Sequence, residues 1–302
     1  MLETLANPIL PIYMVLALGA ALRLGGALQA SDAVAINRFA FYLAVPALII
    51  SVLGKAPITE FEWGAIFAYT STQIALYVGT FALLYYVFKL EVREALLLGM
   101  AASFVNHVFF VLPIAERLVG ADAGIPMAGI VMFDAGLIFP TTVIITAVIT
   151  AREQGRANIA GMLLKNPFIY APGLGILLGL AGDTAPAGIM TFAEFGGAAA
   201  APVLLFALGI ILAGSDIRRI GGAVWAVVGV KLLIHPAIVF GLLGTVAASQ
   251  FTSDITLLVA AGPCGAMPFV IATQYGVKTE NIAKAVLIST TLSILSLAVL
   301  TA

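Results

Sequence analysis

Ten apolar runs, each close to the length a helix needs to cross a bilayer, take up most of this chain. They fall at residues 8–24, 33–53, 63–88, 95–118, 126–150, 167–182, 189–213, 222–247, 254–275 and 281–301. A helix rises 1.5 Å per residue, so a hydrocarbon core of about 30 Å takes about 20 residues. Hydrophobic residues make up 62% of the chain and charged residues 10%, with a mean hydropathy of +1.13. A soluble domain carries about 25% charge, so too little polar surface remains here to coat a water-soluble globule. The expectation is an all-α polytopic membrane protein with ten transmembrane helices in a lipid bilayer. No basic patch is large enough for nucleic acid. Met1-Leu2-Glu3-Thr4 lacks the basic start of a secretory signal, so the first run reads as a retained helix. Cys264 is the single cysteine, which excludes an internal disulfide and a Cys-based metal site.

The basic residues give the segmentation an orientation, because Lys and Arg collect on the cytoplasmic side. One set of loops holds Arg23, Arg38, Lys89, Arg93, Arg152, Arg156, Lys165, Arg218, Arg219, Lys278 and Lys284. The other holds Lys55 and Arg117, and Lys231 falls inside the eighth run. Adding or dropping a span in mid-chain would scramble this bias. It puts both termini on the non-cytoplasmic side of the cytoplasmic (inner) membrane.

The chain also reads as one unit used twice. Asn7-Pro8 and Asn166-Pro167 lie 159 residues apart, Pro46 and Pro202 lie 156 apart, and Pro113 and Pro268 lie 155 apart. Residues 1–150 form the first five-helix repeat, 151–165 a cytoplasmic connector and 166–302 the second repeat. An odd number of spans forces the second copy to insert upside down, a common plan of secondary transporters.

Proline removes a backbone donor and clashes with the carbonyl four residues back. Pro113 lies inside span 4, and Pro263 and Pro268 lie inside span 9. Interrupted helices at matching places in two halves are the best sequence pointer to a transport site. Their exposed N–H groups and positive dipole end suit an anion, and the carbonyls opposite suit a cation. The alternative is that these prolines only kink their helices. Asn106 lies ~16 Å into span 4, near the midplane, where its amide serves either a ligand or a helix–helix hydrogen bond. His107 follows it and points elsewhere on the helix; a lone His reads first as a packed, satisfied residue and second as a functional group. Asp134 lies ~12 Å into span 5 and Lys231 ~14 Å into span 8. Each unpaired charge there costs roughly 2.5–3.5 kcal/mol, so they must pair, neutralise or face water. One reading has Asp134 and Lys231 sharing a polar cavity. Another has Asp134 pairing with His107 or Lys231 only to hold helices together. His235, one turn beyond Lys231 on the same face, reads as structural. Glu60, Glu62, Glu94, Glu116, Glu194 and Asp216 read as interfacial, and Trp63, Tyr69, Tyr85 and Tyr86 as belt aromatics.

No zinc-protease pair, nucleophile elbow or Walker loop occurs in the sequence. The chain is expected not to be an enzyme, and to need no cofactor beyond a coupling ion, H⁺ or Na⁺.

The sequence resembles the auxin efflux carrier family along nearly its whole length. The residues that carry the likeness are Asn37-Arg38-Phe39 and Tyr42 to Leu48 in span 2, Asn106 with Leu112 to Ala115 in span 4, and Lys165-Asn166-Pro167 opening span 6. Leu204 to Gly209 in span 7 and Ser289 to Ser293 in span 10 complete them. The resemblance implies a 5+5 inverted repeat with broken, crossing helices 4 and 9. Spans 1, 2, 6 and 7 become a scaffold and spans 3–5 and 8–10 a moving transport domain. It further implies elevator motion, a scaffold-mediated homodimer, and a substrate site at Asn106, Pro113 and Pro268. His107 and Phe109-Phe110 stand where many relatives are small and Gly-rich, and the short connector at 151–165 departs from plant members with their long central loop.

The expected function is secondary active transport of a small organic anion, a mono- or dicarboxylate, with Asn106, His107, Pro113, Asp134, Lys231, Pro263 and Pro268 as candidate substrate-site residues. Two alternatives stand beside it: a sodium-coupled symporter of the bile-acid type, and a ligand-binding membrane sensor.

Overall fold

The computed structural model describes residues 2–155, 159–182, 185–214 and 220–300. Arg156, Arg218 and Arg219 of the charge count, and Asp216, lie outside them. Among the described residues the chain is helical between short turns. In chain order the helices are α1 (Leu2–Leu24), α2 (Ala30–Gly54), α3 (Trp63–Val87), α4 (Val92–Ser103), α5 (Leu112–Val119), α6 (Gly124–Glu153) and α7 (Ile159–Leu164). There follow α8 (Pro167–Ala181), α9 (Ala187–Ala213), α10 (Gly222–Leu243), α11 (Gln250–Ala260), α12 (Met267–Tyr275) and α13 (Glu280–Leu300). Five of them, α2, α3, α6, α9 and α10, are long and apolar enough to cross a membrane. At 25 residues, α2 and α3 reach ~37 Å, beyond the ~30 Å core.

Two of the runs read as single spans are divided. The run 95–118 is helical only to Ser103, is unwound at Phe104–Asn106, and resumes through a π-helical turn at His107–Val111 into α5. The run 254–275 is unwound between Ala260 and Met267. The first break is therefore not at Pro113, which sits second in α5.

The prolines act differently, and consistently. Wide π-helical turns occur at Ala40–Ala44, His107–Val111, Asp134–Ile138 and Val230–Ile234. Each is followed, two residues after its end, by a proline: Pro46, Pro113, Pro140 and Pro236. The carbonyl that a proline ring would strike belongs to the residue four back, which here is the middle residue of each turn. Widening the turn by one residue moves that carbonyl aside, so the helix continues with a bulge rather than a break. A fifth π turn, Leu83–Val87, ends α3 with no proline after it.

The helices pack in two groups. In one, α1 lies along α9, and α2 along α8 and α9. Gly19 and Gly209 make the α1–α9 contact so close that a methyl at either would overlap a backbone carbonyl of the other helix, at Phe206 or Leu16. Small residues permit this approach where lipid supplies no hydrophobic drive. Asn166 caps α8, its side chain accepting from the Phe168 N–H, ahead of Pro167. The other group joins α3 to α4 and α10, and α10 to α11 and α13. Contacts from α12 to α2 and from α6 to α2 bring the groups together.

Candidate functional site

The site begins where the two unwound stretches cross. Val105 and Cys264 face each other as an antiparallel pair. The Asn106 N–H donates to the Pro263 carbonyl at 3.0 Å, and the Gly265 N–H donates to the Phe104 carbonyl at 2.9 Å. The Cys264 N–H donates to Ser289 Oγ of α13 at 3.1 Å. Backbone that leaves a helix at this depth must be satisfied by protein, and these bonds do so. A side chain at Gly265 would run into the Phe104 ring, so the approach requires glycine.

Beside the crossing lies a cavity of about 690 Å³, open solvent at its mouth included. Its walls are Val45, Leu48, Ile49 and Val52 of α2, Ala201, Leu204 and Leu205 of α9, and Val131, Ala135 and Phe139 of α6. Its floor is the crossing itself, Phe104 to His107 and Gly265 to Met267. It thus separates the α2–α9 pair from the broken helices. Its polar side chains are Asn106, His107 and Asp134, all buried. An apolar pocket with a few convergent polar groups is the ordinary form of a small-molecule site.

Those groups are held from behind. His107 Nε2 lies 2.7 Å from Asp134 Oδ2, and Gln73 Nε2 donates to Asp134 Oδ1 at 2.5 Å. His107 and Asp134 are each the first residue of a π turn. The bulges therefore set the facing of both side chains, a common position for functional groups. The Asn106 carbonyl accepts from the Phe110 and Val111 N–H groups, which anchors the start of the second half-helix. Asn106 also lines a second, smaller cavity with Tyr13, Leu16, Leu287 and Thr290.

From Phe139 on the cavity wall a run of packed aromatic rings extends away from the cavity. Phe139 packs on Phe168 with centroids 4.6 Å apart, Phe168 on Phe41 at 4.8 Å, and Phe41 on Tyr275 at 6.1 Å. Around them Asn37 Nδ2 donates to the Val270 carbonyl, Asn166 Nδ2 to Tyr275 Oη, and Gln274 Nε2 to Tyr42 Oη. These contacts tie α12 to α2 and α8.

The structure thus brings Asn106, His107 and Asp134 to one cavity, whereas Pro263 lies in the crossing without lining it, its carbonyl accepting from the Asn106 N–H, and Pro268 is the second residue of the adjoining α12. Pro113 lies outside it. Lys231 is buried behind the crossing, does not line the cavity and makes no ion pair with Asp134, so the two do not share a pocket. Tyr69, read as a belt aromatic, is fully buried against His235, ring centroids 5.1 Å apart. Glu94, read as interfacial, is buried and accepts from Asn281 Nδ2 at 2.7 Å. Sequence reasoning passed over Gln73. Its signal is an amide ~15 Å into an apolar span, the same sign that singled out Asn106.

Comparisons with known proteins agree in kind. A family model described as "Membrane transport protein" matches residues 4–160 and 157–301. A Rhizobium meliloti protein named "Putative malonate transporter" is 29% identical over 266 residues, 86% of this chain and 83% of its own. An uncharacterized transporter of Methanothermobacter thermautotrophicus is 25% identical over 96% of this chain and 95% of its own. Another, from Methanocaldococcus jannaschii, is 24% identical over 96% of each.

Proposed function

The chain belongs to the membrane transport protein family, the auxin efflux carriers, and from this premise we propose that it is a secondary active transporter of a small organic anion. It is a membrane transporter, not an enzyme. The observation that carries the finer reading is the cavity between the α2–α9 pair and the crossing, with Asn106, His107 and Asp134 on its wall. The half-helices that begin at His107 and Met267 direct backbone N–H groups and positive dipole ends toward a carboxylate. Asn106 adds a side-chain donor.

The cargo is a mono- or dicarboxylate, and the relative named for malonate supports beginning with that dicarboxylate. Among the described residues Asp134 is the one acidic side chain on the cavity wall. Beside an incoming anion it repels unless it or His107 takes up a proton, which favours H⁺ as the coupling ion.

The ten-span, inverted-repeat plan belongs to the same proposal. The two breaks support it, as does the reciprocal packing of α1 on α9 and α8 on α2. With the basic loops inward, the chain lies in the cytoplasmic membrane with both termini outward, and the run of aromatic rings extends from the cavity toward the cytoplasm. Alternating access then consists of α3–α6 and α10–α13 moving against α1, α2, α8 and α9.

The test is uptake of a carboxylate panel beginning with malonate, by purified protein in liposomes, with and without Na⁺ and at two pH values. Accumulation driven by a pH gradient supports the reading. Strict Na⁺ dependence gives a sodium symporter instead, and binding without flux gives a sensor. A panel in which only cations or neutral solutes bind overturns the anion assignment.

A further inference from the structure

Lys231 is the charged side chain left unexplained by the cavity. It is completely buried, on the π turn that Pro236 imposes on α10. Its Nζ donates to the Ala260 carbonyl at 2.6 Å and lies 2.9 Å from His235 Nδ1. Among the described residues no carboxylate lies within ion-pair distance of it, and Asp134 is engaged by His107 and Gln73.

Ala260 is the last residue of α11, where the helix stops before the crossing. A helix ending inside a membrane presents unsatisfied carbonyls and the negative end of its dipole. Water satisfies such an end at a surface, whereas here the Ala261 carbonyl accepts from Ser296 Oγ and the Ala260 carbonyl from Lys231 Nζ. The ligands around Nζ, a carbonyl oxygen and a neutral ring nitrogen, are those that receive a bare cation. At 2.9 Å both partners cannot carry a proton toward each other, so the pair holds one positive charge at most. An apolar side chain of the same length would fill the space but leave the Ala260 carbonyl and His235 Nδ1 without their donor, which costs more than the ammonium's burial where both ligands are fixed.

We propose that Lys231 is a resident cation: its ammonium occupies, as a tethered side chain, a cation site formed by the Ala260 carbonyl and His235 Nδ1 at the end of the broken helix α11. The crossing is thereby held by a cation that does not exchange. Its part in transport rests on the function proposed above; the site itself does not, and the experiment reads it without flux.

The measurement is thermal unfolding of purified protein in nanodiscs, titrated with sodium, ethylammonium or choline chloride. Wild type is expected to melt at the same temperature in all three salts at equal ionic strength. Lys231→Ala, which opens room for a small amine, is expected to melt lower and to regain part of the loss with ethylammonium but not with bulky choline. Lys231→Met tests the charge apart from the volume and is expected to melt below wild type. A saturable Na⁺-specific stabilisation of wild type overturns the proposal, and this arm stands even if neither variant folds. So does Lys231→Met melting with wild type, or Lys231→Ala responding to no cation.

Discussion

His107 Nε2 and Asp134 Oδ2 meet 2.7 Å apart across the cavity wall, and each residue stands six positions before a proline that forces its helix into a π turn. Two bulges made by two proline rings thus aim the imidazole and the carboxylate at each other. The local chemistry of Pro113 and Pro140 is converted into the geometry of a site that neither proline touches.

The first prediction concerns that geometry. Pro140→Ala restores the missing N–H and lets α6 close into a regular helix, which turns Asp134 by about 100°, one residue's rotation. Stability is expected to change by about 1 kcal/mol or less, since a backbone bond is gained as the Asp134 contacts are lost. Uptake is expected to fall at least about tenfold, equivalent to about 1.4 kcal/mol. Paired uptake and melting measurements check this.

Asp134→Asn retains the shape and one hydrogen-bonding oxygen but removes the charge. A loss of about 1–3 kcal/mol is expected, from a buried hydrogen bond to a charged group replaced by a neutral one. Transport is expected to lose its pH dependence. Full uptake with an unchanged pH profile removes Asp134 from the mechanism.

The α1–α9 contact is tested by Gly209→Val. Added methyls meet the Leu16 carbonyl rather than a flexible side chain. Overpacking of this kind costs about 1–3 kcal/mol, and the expected result is a lower melting temperature. The same exchange at Gly241, with open space around it, is expected to cost less.

Glu62 gives a pH prediction outside the membrane-spanning helices. Its carboxylate accepts from Ser249 Oγ at 2.6 Å, from Thr252 Oγ1 at 2.5 Å and from the Ser249 N–H, which fastens the start of α3 to the start of α11. The Ser249 and Thr252 hydroxyls, then the Ser249 N–H, hold its carboxyl below the usual carboxylate range. A group depressed in the folded state contributes stability that is present above the unfolded value, about 4.3. That contribution is lost as pH falls through the lower folded value. Wild type is therefore expected to lose melting temperature faster than Glu62→Gln on acidification below about pH 4.3. Parallel curves contradict this.

Helix positions were legible because a bilayer demands length and apolarity, and both are local. Even the capped start of α8 is written in Asn166-Pro167. The location of the first break was not. Proline was expected to break span 4 at Pro113, whereas a π turn absorbs its ring and the helix continues. The true break at Phe104–Asn106 is held by backbone bonds to Pro263 and Gly265, which lie in the other half of the chain. No local pattern around Val105 encodes such pairing. Asn106, His107 and Asp134 stood out because polar groups at mid-membrane depth are costly wherever they occur, and they line one cavity. Their partner Gln73 carried the same sign and was missed. Lys231 was correctly marked as needing a partner, but depth along a span says nothing of which neighbour faces it. The answer was a helix end and His235 rather than Asp134.

The central claim is that the crossing and its cavity hold a carboxylate, and Asn106 tests it most directly. The measurement is anion uptake into liposomes by wild type and Asn106→Ala, together with anion-induced thermal stabilisation of each. Wild type is predicted to accumulate a carboxylate and be stabilised by it, and Asn106→Ala to lose at least about tenfold in both, about 1.4 kcal/mol, with its unliganded melting temperature within a few degrees. Equal uptake and equal stabilisation by the two proteins would contradict the account.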